Sequence, residues 1–421
     1  PSAEEVTRIE GSDNGTLGWE RTYIYGPLRQ CLEQAHYLCA LGLHQVGQYR
    51  KALQFVKMFN VRYRIHPHVW DAANRGGQGA ECVEGTEETK ARRPCKGTPP
   101  ELYARAVPPK LKLELCSIFA KNSQFWAETD YHERGYYSFW YDLSEPPSNT
   151  VEDFIRHFLP LVEKRAGAKI VGAEWWVHSR PIGRNLGHQL HLDTEENTLE
   201  ASHEIVHPKV SSVTYLSPPV DGGGSTVVFD QRLGDDEASH AYIVKPCESG
   251  FMMFDGDKIH GVLPSSPSAF PIAGSKRQRT QGVKGKLHRK VEQPHRLTLM
   301  VGWWNKDVRK VGKRTLLGPC GPVPSRPTRN CKWPGLLQSP YHFLGADEKR
   351  EDSLKAEQSR AAVPINVASP AWEKIPGNDD ARTTTRKTLE IPTAVDQRFF
   401  LNDFEEFRVH LLERALGNQG K

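Results

Sequence analysis

Apolar positions along this chain change their period several times. Across residues 29 to 59 they recur at helical spacing. Leu28, Leu32, Ala35, Leu38 and Leu41 or Leu43 form one run, and Tyr49, Ala52, Leu53, Phe55 and Val56 form a second beyond Gly47. The pattern predicts a helical hairpin packed on a larger domain. Residues 83 to 100 are polar and charged and end in Pro-Pro, which predicts an exposed loop. Tyr136 to Tyr141 is aromatic and strand-like. Thr150 is placed to cap a helix from Val151, with Asp153 in its first turn. Phe154, Ile155, Phe158, Leu159 and Val162 form that helix's apolar stripe, and Pro160 is expected to kink it.

Strand-like runs then follow at 169–180, 188–193, 209–217, 225–230, 241–246, 250–255, 260–263 and 296–304. Short strands joined by Gly, Pro and Asp turns predict a barrel or jelly roll. Residues 264–295 interrupt the series with Lys276, Arg277, Arg279, Lys284, Lys286, Arg289 and Lys290. A solvated surface loop is the expectation there, and contact with an acidic partner is the alternative. Gly318 to Pro340 is rich in Pro and Gly, and the chain stays polar to about Thr393. Phe400, Phe404, Phe407 and Leu411 then predict a closing amphipathic helix with Gly417 near its end. The Leu-Gly…Gly-x-Tyr-x-x-Ala-Leu order of the first hairpin resembles one tetratricopeptide unit. No second copy follows, and such units stack in series.

Composition adds little to this picture. At 421 residues, 38% hydrophobic and 25% charged, the chain is that of an ordinary globular protein. A net charge of +5 does not argue for nucleic acid, and no apolar run of about 18 residues predicts a membrane span. The chain opens on Pro1, so the lack of a leader leaves both cytoplasm and secretory lumen open. Eight cysteines lack paired zinc-site spacings; Cys82 with Cys95 and Cys320 with Cys331 could form disulfides or remain thiols. Oligomeric state is not legible.

Candidate chemistry changes the picture most. Among seventeen histidines, His191-Leu192-Asp193 is the one His-x-Asp or His-x-Glu pair on strand-like sequence facing a single side. His260 ends the later run from Phe254. Two imidazoles and one carboxylate occupy one face of Fe(II) and leave other positions open. A zinc site would ask for a further nitrogen or sulfur ligand, and cysteines are missing nearby. Arg296 and Thr298 share a strand face, and a guanidinium can grip a carboxylate through two parallel bonds. Ser212 and Thr214 share another face and are candidates to bond a cosubstrate, in competition with Tyr215 pointing oppositely. Alternation along Glu174, Trp176, His178 and Arg180 lines either a pocket mouth or a solvent face. His188 is a candidate for substrate contact or for supporting the metal ligands. His203, His207 and His240 are expected at the surface.

The order His-x-Asp, distal His, Arg-x-Thr resembles the 2-oxoglutarate/Fe(II)-dependent dioxygenases, in the branch of prolyl 4-hydroxylase-like catalytic domains. Val210 to Ser217 with Gly222 to Thr226 is similar to that branch's strand and glycine turn, and Phe254 to Asp257 to its approach to the distal histidine. The match covers roughly residues 136 to 306. It implies a double-stranded β-helix (jelly roll) over that stretch. With the helical patterns on either side, the expected chain is α+β with a mainly β core, supporting helices and helical extensions at both ends. The expected boundaries are 1–120 for a helical region, 121–312 for the catalytic domain and 313–421 for a Pro/Gly-rich extension ending in a helix. The resemblance also implies Fe(II) on His191, Asp193 and His260, with 2-oxoglutarate on the metal and Arg296. Dioxygen is the co-reactant, ascorbate an optional reductant, and succinate and carbon dioxide leave. Asp193 disfavours halogenation, since family halogenases replace that carboxylate. Three readings stay open: hydroxylation of a small molecule, which is preferred; hydroxylation of a protein side chain; and a non-redox cupin-like or β-helix binding module.

Overall fold

The computed structural model describes residues 18–59, 61–74, 98–129, 138–181, 187–217, 224–264, 295–308, 321–324, 326–329, 332–338, 362–376, 389 and 399–417. Cys82, Cys95, Cys320, Cys331, nearly all of the basic insert, and the side chains of Arg180 and His295 lie outside them.

The first third of the chain is mainly helical. It comprises α1 (Gly18–Gln45), α2 (Tyr49–Val56), β1 (Tyr63–Ile65), α3 (Pro67–Asn74), β2 (Glu101–Tyr103), α4 (Pro109–Ile118) and α5 (Gln124–Thr129). The expected hairpin around Gly47 is present, but of its first apolar run only Leu41 is buried. Tyr37, Ala40, Leu41 and His44 turn inward, while Leu28, Leu32 and Leu38 are exposed. Periodicity located the helix and missed its orientation because α1 carries two apolar faces.

After β3 (Phe139–Asp142), α6 (Thr150–Ala166) runs through Pro160 without ending. Its cap is Asn149, not Thr150. The Asn149 side chain accepts from the backbone N–H groups of Val151 and Glu152, both at 3.0 Å. Thr150 instead donates its hydroxyl to the Leu337 carbonyl. Strands β4 (Gly172–Pro181) and β5 (His188–His191), helix α7 (Glu196–Ser202), and strands β6 (Val210–Ser217), β7 (Thr226–Arg232), β8 (Ala241–Val244), β9 (Gly250–Asp255), β10 (Lys258–Val262) and β11 (His295–Trp304) follow. All eight expected strand runs are found. The chain continues with α8 (Pro334–Leu337), β12 (Asn366–Ala368), β13 (Trp372–Lys374), β14 (Phe400–Leu401) and α9 (Glu406–Gly417). The closing helix is shorter than its aromatic spacing predicts. Phe400 lies in β14, and Phe404 packs on Tyr63 and Trp372 before the helix starts. Asp403 accepts from the Glu406 N–H at 3.0 Å and fixes that start.

Antiparallel pairing builds a six-stranded sheet, β2-β9-β6-β11-β4-β3, and a five-stranded sheet, β12-β8-β7-β10-β5. Along β4 to β11 the chain alternates between them, with β7 and β8 both in the second. Among the described residues neither sheet closes into a barrel. Tyr215, Val228, Tyr242, Val244, Met252 and Phe254 pack between them. The outer face of the six-stranded sheet is covered by α4, α5, α6 and α8 through Leu115, Phe125, Phe154, Phe158 and Trp333. The other outer face is covered by α1 to α3, α9 and a three-stranded sheet, β13-β1-β14.

That last layer holds a pH-sensitive group. His44 is fully buried, donates Nδ1–H to the Ala40 carbonyl at 2.7 Å and has Arg64 beside its other nitrogen at 3.4 Å. Burial first, then the Arg64 charge, holds it down from 6.5 to about 4, against the opposing carbonyl bond. His66 is lowered to about 4 by burial and by the charges of His68 and Arg64. Between these values the unfolded chain binds protons that the folded chain refuses, so stability is full above about pH 6.5 and falls as pH drops toward 4. For His44 alone the loss is about 3 kcal/mol. Urea denaturation at pH 7.5 and 4.5 should show it, and His44→Phe should reduce the difference.

Candidate metal centre

Strand pairing places the first two candidate ligands opposite each other. His260 in β10 is the cross-strand partner of His191 at the end of β5, and their rings lie 4.3 Å apart between centroids. Asp193 lies two residues beyond β5, outside the strand, yet reaches the same point. Its Oδ1 is 3.8 Å from His191 Nε2 and 3.7 Å from His260 Nε2. One ligand atom from each of the three residues lies within 4.8 Å of the others. Among the described residues no fourth His, Cys, Asp or Glu joins them.

The surrounding hydrogen bonds orient each ligand. His191 Nδ1 bonds the Gln189 carbonyl at 2.8 Å, and His260 Nδ1 bonds the Lys258 carbonyl at 3.0 Å. A carbonyl can only accept, so both rings carry their proton on Nδ1 and present a lone pair from Nε2. Ser211 donates its hydroxyl to Asp193 Oδ2 at 2.6 Å, which leaves Oδ1 toward the imidazoles. His207, expected at the surface, is half-buried and donates Nδ1–H to the Asp193 backbone carbonyl at 2.7 Å. Phe254 packs on His260 with centroids 4.7 Å apart. Gly261 lets β10 run close to β5: a Cβ there would lie 2.9 Å from the carbonyl oxygens of both His188 and Gln189. Two nitrogens and one carboxylate oxygen, each with its far side already bonded, fit a divalent first-row metal with open positions.

Ser211 was not legible as a site residue, and it carries a prediction. Without its hydroxyl the carboxylate is free to rotate away from the histidines. Ser211→Ala should weaken Fe(II) or Co(II) binding by about 10- to 100-fold, read by anaerobic titration, with circular dichroism unchanged.

The three residues stand in a cleft between the two large sheets. Trp176, His178, His188, Ser211, Val213, Thr226, Phe254, Val262, Arg296, Thr298 and Met300 also line it. Arg296 and Thr298 therefore reach the same space as the ligands, from the opposite sheet. Arg296 is 7% exposed, donates Nη1–H to the Gly224 carbonyl at 2.6 Å, and lies over the Tyr215 ring. Tyr215 bonds Thr226, and burial pushes its hydroxyl up to about 12, so it stays protonated. Pairing of β11 with β4 sets Thr298 beside His178 and Met300 beside Trp176. Glu174, of the same parity, is buried and accepts a hydrogen bond from Ser138 at 2.6 Å. His188 stacks edge-on against His191.

The strand β6 corrects one expectation. Val210 and Leu216 pack under the helices, and Ser212 and Thr214 share their parity. Ser212 borders the cleft, but its hydroxyl bonds the Val301 carbonyl and accepts from Trp303 Nε1. Thr214 is fully buried and is not a cleft wall. The cleft side of β6 belongs to Ser211 and Val213, with Tyr215 on the same face. Of the remaining histidines, His203 is exposed as expected, whereas His240 is buried.

No protein-family model matches the chain, and no curated protein does. Solved structures similar to it include a Pseudomonas putida prolyl-4-hydroxylase, at 16% identity and TM-score 0.30 over 49% of this chain and 88% of that one. Another is the non-heme alpha ketoglutarate dependent carbocyclase SnoK of nogalamycin biosynthesis, at 11% identity and TM-score 0.30 over 55% and 88%. A third is HygX from Streptomyces hygroscopicus with nickel and 2-oxoglutarate bound, at 11% identity and TM-score 0.27 over 55% and 96%. No helix among the described residues is long and apolar enough to cross a membrane.

Proposed function

We propose that this chain is an Fe(II)- and 2-oxoglutarate-dependent dioxygenase that hydroxylates a C–H bond, with a small molecule as the preferred substrate class. The observation that carries the reading is the convergence of His191, Asp193 and His260 in one cleft with the buried Arg296 guanidinium. Alternation of β4 to β11 between two facing sheets supports a double-stranded β-helix as the catalytic frame, with residues 121–312 as its extent and β2 as an added edge strand. Bound Fe(II) would supply oxidative decarboxylation of 2-oxoglutarate: dioxygen gives one oxygen atom to succinate and one to the substrate, and carbon dioxide leaves.

The chain's own residues have separable tasks in this reading. His191, Asp193 and His260 hold the metal, with their protons fixed away from it. Arg296 neutralises the distal carboxylate of the cosubstrate, and Thr298 lies on the same strand face. Tyr215 packs under the guanidinium and limits its swing. Trp176, His178 and His188 wall the cleft, where they can contact the substrate. Anaerobic addition of Fe(II) and 2-oxoglutarate is expected to produce a visible charge-transfer absorption. Aerobic incubation with a substrate panel should then release succinate and add one oxygen to a product. If neither absorption nor succinate appears, the dioxygenase reading fails and a non-redox binding module takes its place.

A further inference from the structure

Helix α1 has a second apolar face that nothing in the described fold covers. Taking about 100° per residue, Leu28, Cys31, Leu32, Ala35, Leu38, Cys39 and Gly42 fall within an arc of roughly 120°, and Val46 continues it in the turn just past the helix, where its N–H bonds the Gly42 carbonyl. The inward residues Tyr37, Ala40, Leu41 and His44 lie on the other side. Leu28 is 60% exposed, Leu32 50%, Leu38 36% and Val46 46%, and both cysteines are exposed free thiols. No charged side chain interrupts the arc. A Cβ built on Gly42 would meet nothing within 4 Å. A continuous apolar stripe of this length along a regular helix is the pattern of a helix–helix contact.

The order of residues in the stripe selects the occupant. It is nearly palindromic about Ala35: Leu32 mirrors Leu38, Cys31 mirrors Cys39, and Leu28 mirrors Gly42. Two antiparallel copies related by a two-fold axis through Ala35 bring each residue onto its mirror position in the other copy. Leucine then meets leucine, cysteine meets cysteine, and the large Leu28 meets the small Gly42. Ala35 on the axis permits close approach of the two helices. A parallel pair would instead set Leu28 on Leu28 and Gly42 on Gly42, which crowds one end and leaves a gap at the other. We infer that the α1 stripe is a homodimer interface in which α1 of one copy packs antiparallel on α1 of a second copy.

Sedimentation of the full chain is expected to give a dimer at micromolar concentration. Leu38→Glu places an acid in the stripe twice per dimer and should give a monomer. Leu38 is exposed on the single chain and far in sequence from the candidate ligands, so the variant's circular dichroism and metal titration should match those of the parent protein. Oxidation with copper-phenanthroline in air, which takes the thiol hydrogens and their electrons, should join Cys31 to Cys39 of the partner subunit. Peptide mass spectrometry reads that linkage. A monomeric parent, a Leu38→Glu dimer, or Cys31–Cys31 linkage would each overturn the inference.

Discussion

Replacing His191 with Ala is expected to lower Fe(II) affinity by well over 100-fold and to remove succinate release. Losing an outer hydrogen-bond partner costs about 10- to 100-fold, and losing a ligand removes a bond to the metal itself. His191 sits on β5, the edge strand of its sheet, and its partner His260 sits on the adjacent β10. The substitution therefore leaves a mouth-side opening without breaking a core contact, because His191 is only half-buried. Anaerobic titration with Fe(II), followed by succinate assay, separates the two effects. Retained turnover in His191→Ala would show that the metal, if present, is held elsewhere.

The largest stability effect is expected one strand deeper. Lys258 and Asp230 form an ion pair at 3.2 Å with both side chains about 1% exposed, and Lys258 also donates to the Thr98 carbonyl at 3.2 Å. Asp230→Ala strips the anion from a buried ammonium and should cost about 3–5 kcal/mol in urea denaturation. Replacing both, Asp230→Leu with Lys258→Met, should recover most of that loss, since the pair's own attraction barely exceeds its desolvation. The Lys258 carbonyl also holds the His260 ring. Asp230→Ala should therefore weaken metal binding as well, and the double variant should restore it. A loss below about 1 kcal/mol for Asp230→Ala would mean that solvent reaches the pair.

Part of the candidate site was legible because strand parity is a local property. Alternation paired His191 with Asp193 and Arg296 with Thr298, His260 followed from the order of the motifs, and all five line one cleft. Asp193 reaches the same point although β5 ends at His191, so strict alternation was not what brought it there. On β6 parity predicted the pairing of Ser212 with Thr214 but not which face is inner. Their neighbours Val210 and Leu216 share that parity and pack beneath helices, whereas Val213 and Tyr215 face the other sheet. Two apolar faces on one strand leave the choice to tertiary packing. Helix α1 shows the same ambiguity at a longer period. Ser211 was passed over and His207 was expected at the surface, because their contacts with Asp193 depend on the chain between residues 193 and 211 folding back.

The small sheet β13-β1-β14 carries a consequence for the order in which the molecule can be made. Ile65 pairs with Trp372, and Arg64 pairs with both Glu373 and Phe400, so β1 finds both neighbours more than 300 residues later. During synthesis the early helices have no finished platform until the last strands emerge. Closing so long a loop is slow, and the outer face of the five-stranded sheet, with Val227, Phe229 and Ile243, waits meanwhile for the part of its cover that β13, β14 and α9 supply. Strands β4 to β11 are complete in sequence by Trp304, while β12 and part of the cover on the second sheet's apolar back are still to come. Truncation before Phe400 should therefore yield chains that aggregate.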